Sequence, residues 1–364
     1  MVITAAQAIL LQIPCEQRSP QPALYGRPWH TLDTLLLRVE TDGGIVGWGE
    51  AFSFHGGLTT RAALDSLVIP NLIGRDPSQI VPLMNDLQRR LHLYGRTGPV
   101  ACALSAVDIA LWDINGKMAG MPLFRMLGGS TRTHLPAYAS LLRTGDPAQA
   151  SRSVEAALKR GFRSIKLHEV DLDPVHAARD VAGYDIPLML DVDCPWSPND
   201  AIDMCRRMAD LELYWLEEPV WPPENYDGIA DVRSNGGIPI AAGENAGSAM
   251  DFKHLVVAEA IDFAQPSVGK VGGITELRKV IALASAYNVT VHPHSPYLGP
   301  ALLATLHVNA AAGEDMLVEH LLVEPEATLY GAAVRPFNGS VAVPQGPGLG
   351  LDPDPAVIER YRAA

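Results

Sequence analysis

The chain has 364 residues, of which 48% are hydrophobic and 19% charged, with a formal net charge of −13. That length is too great for one ordinary domain and suits a barrel joined to a smaller unit. The acidity argues against nucleic acid as a partner, since the basic pairs Arg89-Arg90 and Arg206-Arg207 are isolated. Cys15, Cys102, Cys194 and Cys205 lack CxxC spacing and histidine company, so they read as reduced thiols. No basic n-region precedes the first apolar stretch, and no run approaches the roughly 18 apolar residues of a membrane span. The expected setting is cytoplasmic, with no membrane contact.

In chain order, residues 2–13 read as a strand. Residues 33–40 alternate, Asp42-Gly43-Gly44 turns the chain, and residues 45–50 return, which predicts a hairpin. The Gly/Pro-rich segments 19–29 and 53–57 read as loops carrying Tyr25, Trp29 and His55. Helical spacing is clearest over 99–118, so residues 1–130 are expected to form an α+β unit. The pattern changes near residue 135. Short apolar runs at 136–140, 164–168, 187–192, 214–217, 238–242, 261–265, 289–292 and 316–319 alternate with helix-length segments. The cleanest helix, 148–160, stops at Gly161. Eight such repeats over residues 131–325 predict a closed parallel barrel. The tail, 326–364, is rich in Gly and Pro and is expected to be irregular and to pack back on the first unit.

Barrel chemistry sits where strands end, and here the strand ends are polar. They read Lys166-Leu167-His168, Asp191-Val192-Asp193, Glu217-Glu218-Pro219, Gly243-Glu244-Asn245, His292-Pro293-His294 and Glu319-His320, with a near-regular step of about 25 residues. Any single acid could simply cap the following helix. Asp191, Glu217 and Glu244 in phase on consecutive strands point instead to a shared cation, because converging carboxylates repel one another. An all-oxygen set favours a hard ion, magnesium first and manganese second. Lys166 and His168, two residues apart on one strand, face the same way into the barrel mouth.

These motifs, with Trp215-Leu216-Glu217-Glu218-Pro219, Gln265-Pro266, Gly272-Gly273 and Pro293-His294-Ser295, resemble the enolase superfamily, in particular its mandelate racemase-like branch. The run 106–113 with Leu127-Gly128-Gly129 is similar to that family's capping domain. The resemblance implies a modified (β/α)7β barrel with an N-terminal α+β capping domain, magnesium on Asp191, Glu217 and Glu244, and a homo-oligomer, dimer or octamer. It also implies roles. Lys166 would stabilise the substrate carboxylate, and His168, where a lysine is commoner, would act as acid/base on one face. His294 would act on the other. Glu319 would share a proton with the substrate carboxylate, and its acidic neighbours are expected to keep it protonated. Asp193 and Glu218 would hold the ligands and Lys166, while Asn245, His292, His55, Trp29 and Tyr25 would be outer or substrate contacts.

The family pattern is broken at Ser267, which stands where an aspartate usually supports His294. A serine hydroxyl stabilises an imidazolium far less than a carboxylate does. Lys270, three residues on, is set aside on strand parity, and His320 is expected to point away from the site. The implied chemistry is abstraction of the proton α to a carboxylate, giving an enediolate, most simply during dehydration of an aldonate or aldarate. The alternatives are a racemase, epimerase or lactone cycloisomerase acting on a hydroxy or amino acid, and a non-catalytic barrel that binds a metal and a carboxylate.

Overall fold

The computed structural model describes residues 1–16, 30–313 and 315–363, so Tyr25 and Trp29 lie outside the described residues. The chain opens with an antiparallel meander, β1 (Ile3–Glu16), β2 (Thr31–Thr41) and β3 (Val46–Ala51). The middle of β2 is buried on both faces, and the period-2 geometry of a strand explains how. Leu35, Leu37 and Val39 face the helices of the same unit, whereas Leu36 joins the core shared with the barrel. Helices α1 (Gly57–Ala63), α2 (Ile80–Leu91), α3 (Gly98–Ala119) and α4 (Leu123–Met126) follow. The contact between β3 and α3 is very close: a Cβ on Gly49 would sit 1.9 Å from the Ala106 carbonyl oxygen. Only glycine permits that approach.

Eight parallel strands then alternate with seven helices. They are β4 (His134–Ser140), α5 (Pro147–Lys159), β5 (Ile165–His168), α6 (Leu172–Ala182), β6 (Leu188–Asp191), α7 (Pro198–Arg207), β7 (Trp215–Glu217), α8 (Tyr226–Gly236), β8 (Ile240–Ala242), α9 (Ala249–Val257), β9 (Phe263–Ala264), α10 (Gly273–Ala286), β10 (Thr290–Val291), α11 (Pro300–Ala312) and β11 (Val318–Leu321). All eight predicted runs are strands. The sheet curls in the order β10-β9-β8-β7-β6-β5-β4-β11. This is the expected (β/α)7β barrel with an antiparallel cap.

Among the described residues, β10 and β11 share no backbone ladder, and side chains join them instead. His292 Nδ1 accepts from the Leu317 N–H at 3.1 Å, and Ser295 Oγ accepts from the Glu319 N–H at 3.2 Å. Inside the barrel, Tyr138, Met189, Trp215, Phe263 and Leu317 form an apolar floor. Two residues further along the same strands stand Ser140, Asp191, Glu217, Gln265 and Glu319. One pleat therefore separates core from chemistry.

The tail is more regular than expected. Strand β12 (Glu324–Pro325) pairs with β1, β13 (Ser340–Ala342) pairs antiparallel with β4, and α12 (Pro355–Tyr361) starts at an Asp354 cap followed by proline. Its last turns reach the first unit, where the Ala363 N–H donates to the Leu10 carbonyl at 2.8 Å. No described helix is long and apolar enough to cross a membrane.

Buried acids dock the cap on the barrel by capping barrel helices. Glu50 Oε2 accepts from the Ala301 N–H at 2.8 Å in the first turn of α11, and Asp108 Oδ1 accepts from the Thr275 N–H at 2.9 Å in the first turn of α10. Burial, only partly offset by these backbone donors, pushes Glu50 up to about 8 and Asp108 up to about 7. The folded state thus favours protonated Glu50. Its stabilisation is complete below the ordinary carboxyl value of 4.5 and is lost as pH rises through about 8. Urea titrations should find the protein less stable at pH 8 than at pH 5. Glu50→Gln should flatten that dependence by up to about 1.4 kcal/mol per pH unit. An unchanged slope in the variant would show that Glu50 does not carry the linkage.

Candidate active site

Asp191 and Glu217 end β6 and β7, and Glu244 stands two residues beyond β8. Each offers an oxygen within 4.8 Å of the other two. Gly243 makes the last placement work: its φ is +130°, and a Cβ there would meet the Phe252 ring at 2.5 Å. Glu218, at φ 47°, braces the same turn by accepting from the Gly243 N–H at 2.9 Å. Trp215 Nε1 donates to Glu217 Oε2 at 2.9 Å and fixes its rotamer. Burial and then the neighbouring Asp191 push Glu217 well above the usual carboxylate range. Such strain, in an all-oxygen donor set of this size, fits a hard divalent cation.

The positive groups of the site gather on this triad. Lys166, fully buried, lies 3.2 Å from Asp191 Oδ2, 2.8 Å from Glu217 Oε1 and 3.0 Å from Glu319 Oε1. Burial opposes its charge, but the carboxylates outweigh burial and raise its pKa well above normal. His168 Nδ1 donates to the Leu141 carbonyl at 2.7 Å, leaving Nε2 to face Asp191 Oδ2 at 3.2 Å. A carbonyl can only accept, so this bond sets the tautomer. Burial works against the imidazolium, yet Asp191 prevails and lifts His168 to about 9. His294 flanks the triad from the other end, with Nε2 at 2.8 Å from Glu244 Oε2 and Nδ1 at 3.1 Å from Ser267 Oγ. Ser267 in turn shares a short hydrogen bond with the Tyr297 hydroxyl.

Two expectations change here. Glu319 does not favour its protonated form. Burial raises its pKa, but Lys166 and His294 and the Ser295 N–H outweigh burial and lower it, and Ser140 Oγ also donates to it at 2.8 Å. Lys270 does reach the site. Its Nζ lies 3.4 Å from Glu244 Oε1 and 4.7 Å from the Phe52 ring centroid. Residues 267–270 form a turn rather than a strand, closed by the Lys270 N–H on the Ser267 carbonyl, so strand parity does not apply.

The outer residues divide. The Asp193 N–H donates to Asp191 Oδ1 at 3.2 Å, and Arg143 donates to its carboxylate at 3.3 Å; Lys166 pairs with Glu319 rather than with Asp193 or Glu218. Asn245 lines the cavity beside the triad. His292 instead stacks on Trp215 and Phe263 in the barrel floor, and burial lowers it to about 4. His55 is exposed in a turn at φ 46° and is not among the described cavity-lining residues. His320 stacks on Phe162, outside the site. The cavity, of about 140 Å³, is also lined by Phe52, Phe54 and Arg143, which sequence reasoning missed. Phe52 and Phe54 continue the alternation of β3, and that spacing was the available signal.

Residues 149–357 match the enolase C-terminal domain-like family, and residues 17–128 match the mandelate racemase / muconate lactonizing enzyme N-terminal domain. The chain belongs to the enolase superfamily, in its mandelate racemase-like branch. As a superfamily member it is 35% identical to the D-galactonate dehydratase of Ralstonia pickettii, with 91% of each chain covered. It is 32% identical to the 3,6-anhydro-alpha-L-galactonate cycloisomerase of Streptomyces coelicolor, with 88% of each covered. A solved racemase from Streptomyces coelicolor A3(2) with bound magnesium matches at a TM-score of 0.87 and 31% identity over all of both chains.

Within the superfamily frame, Glu217 is the most enclosed of the three acids that could hold the ion. Glu217→Gln should weaken divalent-cation binding by at least about 100-fold in calorimetric titration, beyond what loss of an outer-shell partner costs. Retained affinity would place the cation elsewhere.

Proposed function

We propose that this enzyme removes the proton α to the carboxylate of a sugar acid and expels the β-hydroxyl, as a metal-dependent hydro-lyase. The observation that carries this reading is the placement of His168 and His294 at opposite ends of the carboxylate triad, with Lys166 buried against it. Magnesium, or manganese in its place, held by Asp191, Glu217 and Glu244, would neutralise the charge that develops on the substrate carboxylate as the proton leaves. Lys166 adds a fixed ammonium on the same side and needs no reorganisation to do so. His168 Nε2 takes the proton, its ring held in one orientation by the bond to Leu141. Asp191 is the chief group that raises His168, and a cation sharing that carboxylate would weaken its pull and favour the neutral imidazole that a base requires. His294, whose Nδ1 rests on the Ser267 hydroxyl and whose Nε2 faces the Glu244 carboxylate, is placed to give its Nε2 proton to the departing hydroxyl, which leaves as water.

The second reading is a cycloisomerase, supported by the Streptomyces coelicolor relative of that name. Symmetric two-base racemisation is less well served, because the two rings are held differently at Nδ1: His168 by the Leu141 carbonyl, His294 by the Ser267 hydroxyl. Incubation of aldonates and aldarates in D₂O with magnesium separates the readings. Loss of water with deuterium at the former β-carbon, taken up as the enol product ketonises, supports dehydration, and deuterium uptake without loss of water supports an isomerase. Absence of both exchange and turnover with every acid argues for a non-catalytic barrel. His168→Asn should lower kcat/KM by about 10²–10⁴ while cation binding persists; a smaller loss would remove His168 from the proton transfer.

A further inference from the structure

The catalytic cavity does not end at Lys270. Phe52, Phe54, Glu244, Asn245 and Lys270 also line a second cavity of about 340 Å³, against about 140 Å³ for the first. It runs between the loop after β8 and the cap, where Thr59, Thr60, Thr97 and the first turn of α3 form its other walls. Among its described lining residues, Glu244 is the one acid and Lys270 the one base. The Glu244 carboxylate is already committed, since it belongs to the triad and meets His294 at 2.8 Å. Lys270 is held loosely by comparison, 3.4 Å from Glu244 and resting on the face of Phe52. With a cation sharing Glu244, the ammonium would have charge left over, beside a cavity whose other described lining residues carry no ionic side chain.

We propose that this second cavity is a subsite for the far end of the substrate, in which Lys270 receives a second carboxylate. The preferred substrate is then a diacid, an aldarate or its lactone, rather than an aldonate. This rests on the sugar-acid reading above and narrows it. The two lysines stand at the two ends of the triad: Lys166 pairs with Asp191 and Glu217, Lys270 with Glu244. One serves the carboxylate beside the reacting carbon, the other the distal one. A chain with a net charge of −13 repels a dianion at long range, so a second recognition cation is what such a substrate requires. The threonine hydroxyls along the wall suit the hydroxylated carbons between the two acids.

The test compares matched six-carbon aldarates and aldonates, with magnesium, by α-deuterium exchange and by turnover. The wild-type enzyme should favour aldarates by at least tenfold in kcat/KM. Lys270→Met should collapse that preference, chiefly by raising KM for the diacids, and Lys270→Arg should restore much of it. Thr97→Phe, which narrows the cavity without touching the triad, should also raise KM for diacids more than for monoacids; it covers the case in which Lys270→Met fails to fold. A wild-type preference for aldonates overturns the inference and leaves the sugar-acid reading intact. An equal loss on both classes in Lys270→Met overturns it too, and assigns Lys270 to the triad alone. Absence of both exchange and turnover with both classes overturns the sugar-acid reading, and the diacid inference falls with it.

Discussion

Three carboxylates with oxygens within 4.8 Å of one another, at the ends of three consecutive strands and two of them buried, repel each other strongly. The surrounding structure is arranged around that repulsion. Lys166, His168, His294 and Lys270 each bring a positive or hydrogen-donating group to one of the three acids. A site with this much paired charge gains little stability from it, because desolvation cancels most of the attraction. What it gains is orientation. Lys166, His168 and His294 are each fixed within 3.2 Å of a carboxylate of the triad, and Lys270 stands slightly further off.

The same use of buried acids recurs away from the site with a different purpose. Glu50 and Asp108 reach from the cap into the first turns of α11 and α10, and Asp113 accepts from the N–H groups of Trp48 and Leu349. Helix N-termini carry unpaired donors, so an acid from the other unit is a natural fastener. These helices begin at the end of the barrel where the triad stands, which fixes the cap, with Phe52 and Phe54, over the catalytic cavity. The acids in the site and the acids in the docking contacts are therefore parts of one arrangement.

His294 shows how one substitution alters a shared design. With Ser267 and Tyr297 behind it, the ring is oriented by hydroxyls and its outer nitrogen points at Glu244. His168 is oriented by a backbone carbonyl and faces Asp191. Two histidines in different surroundings are suited to different tasks, which is what elimination requires and racemisation does not.

The eight barrel strands, the cap hairpin and the triad were legible in the sequence because they rest on local regularities: period-2 burial, turn residues, and a polar group repeated at each strand end. The reading of Ser267 as a break came instead from the family resemblance, since no local regularity marks it. The reach of Lys270 was not legible, since residues 267–270 leave strand geometry and a long side chain is directed by packing against Phe52, a residue far away in sequence. Nor was the placement of His292, whose ring stacks on Trp215 and Phe263 and accepts the Leu317 N–H across the barrel seam. The protonation preference of Glu319 and the strand and helix in the tail likewise depended on partners from distant segments. The sequence by itself determined which residue types stand at the strand ends, because that follows from chain spacing. Only the tertiary structure decided which of them share charge, because that depends on distances of a few ångströms between elements far apart in the chain.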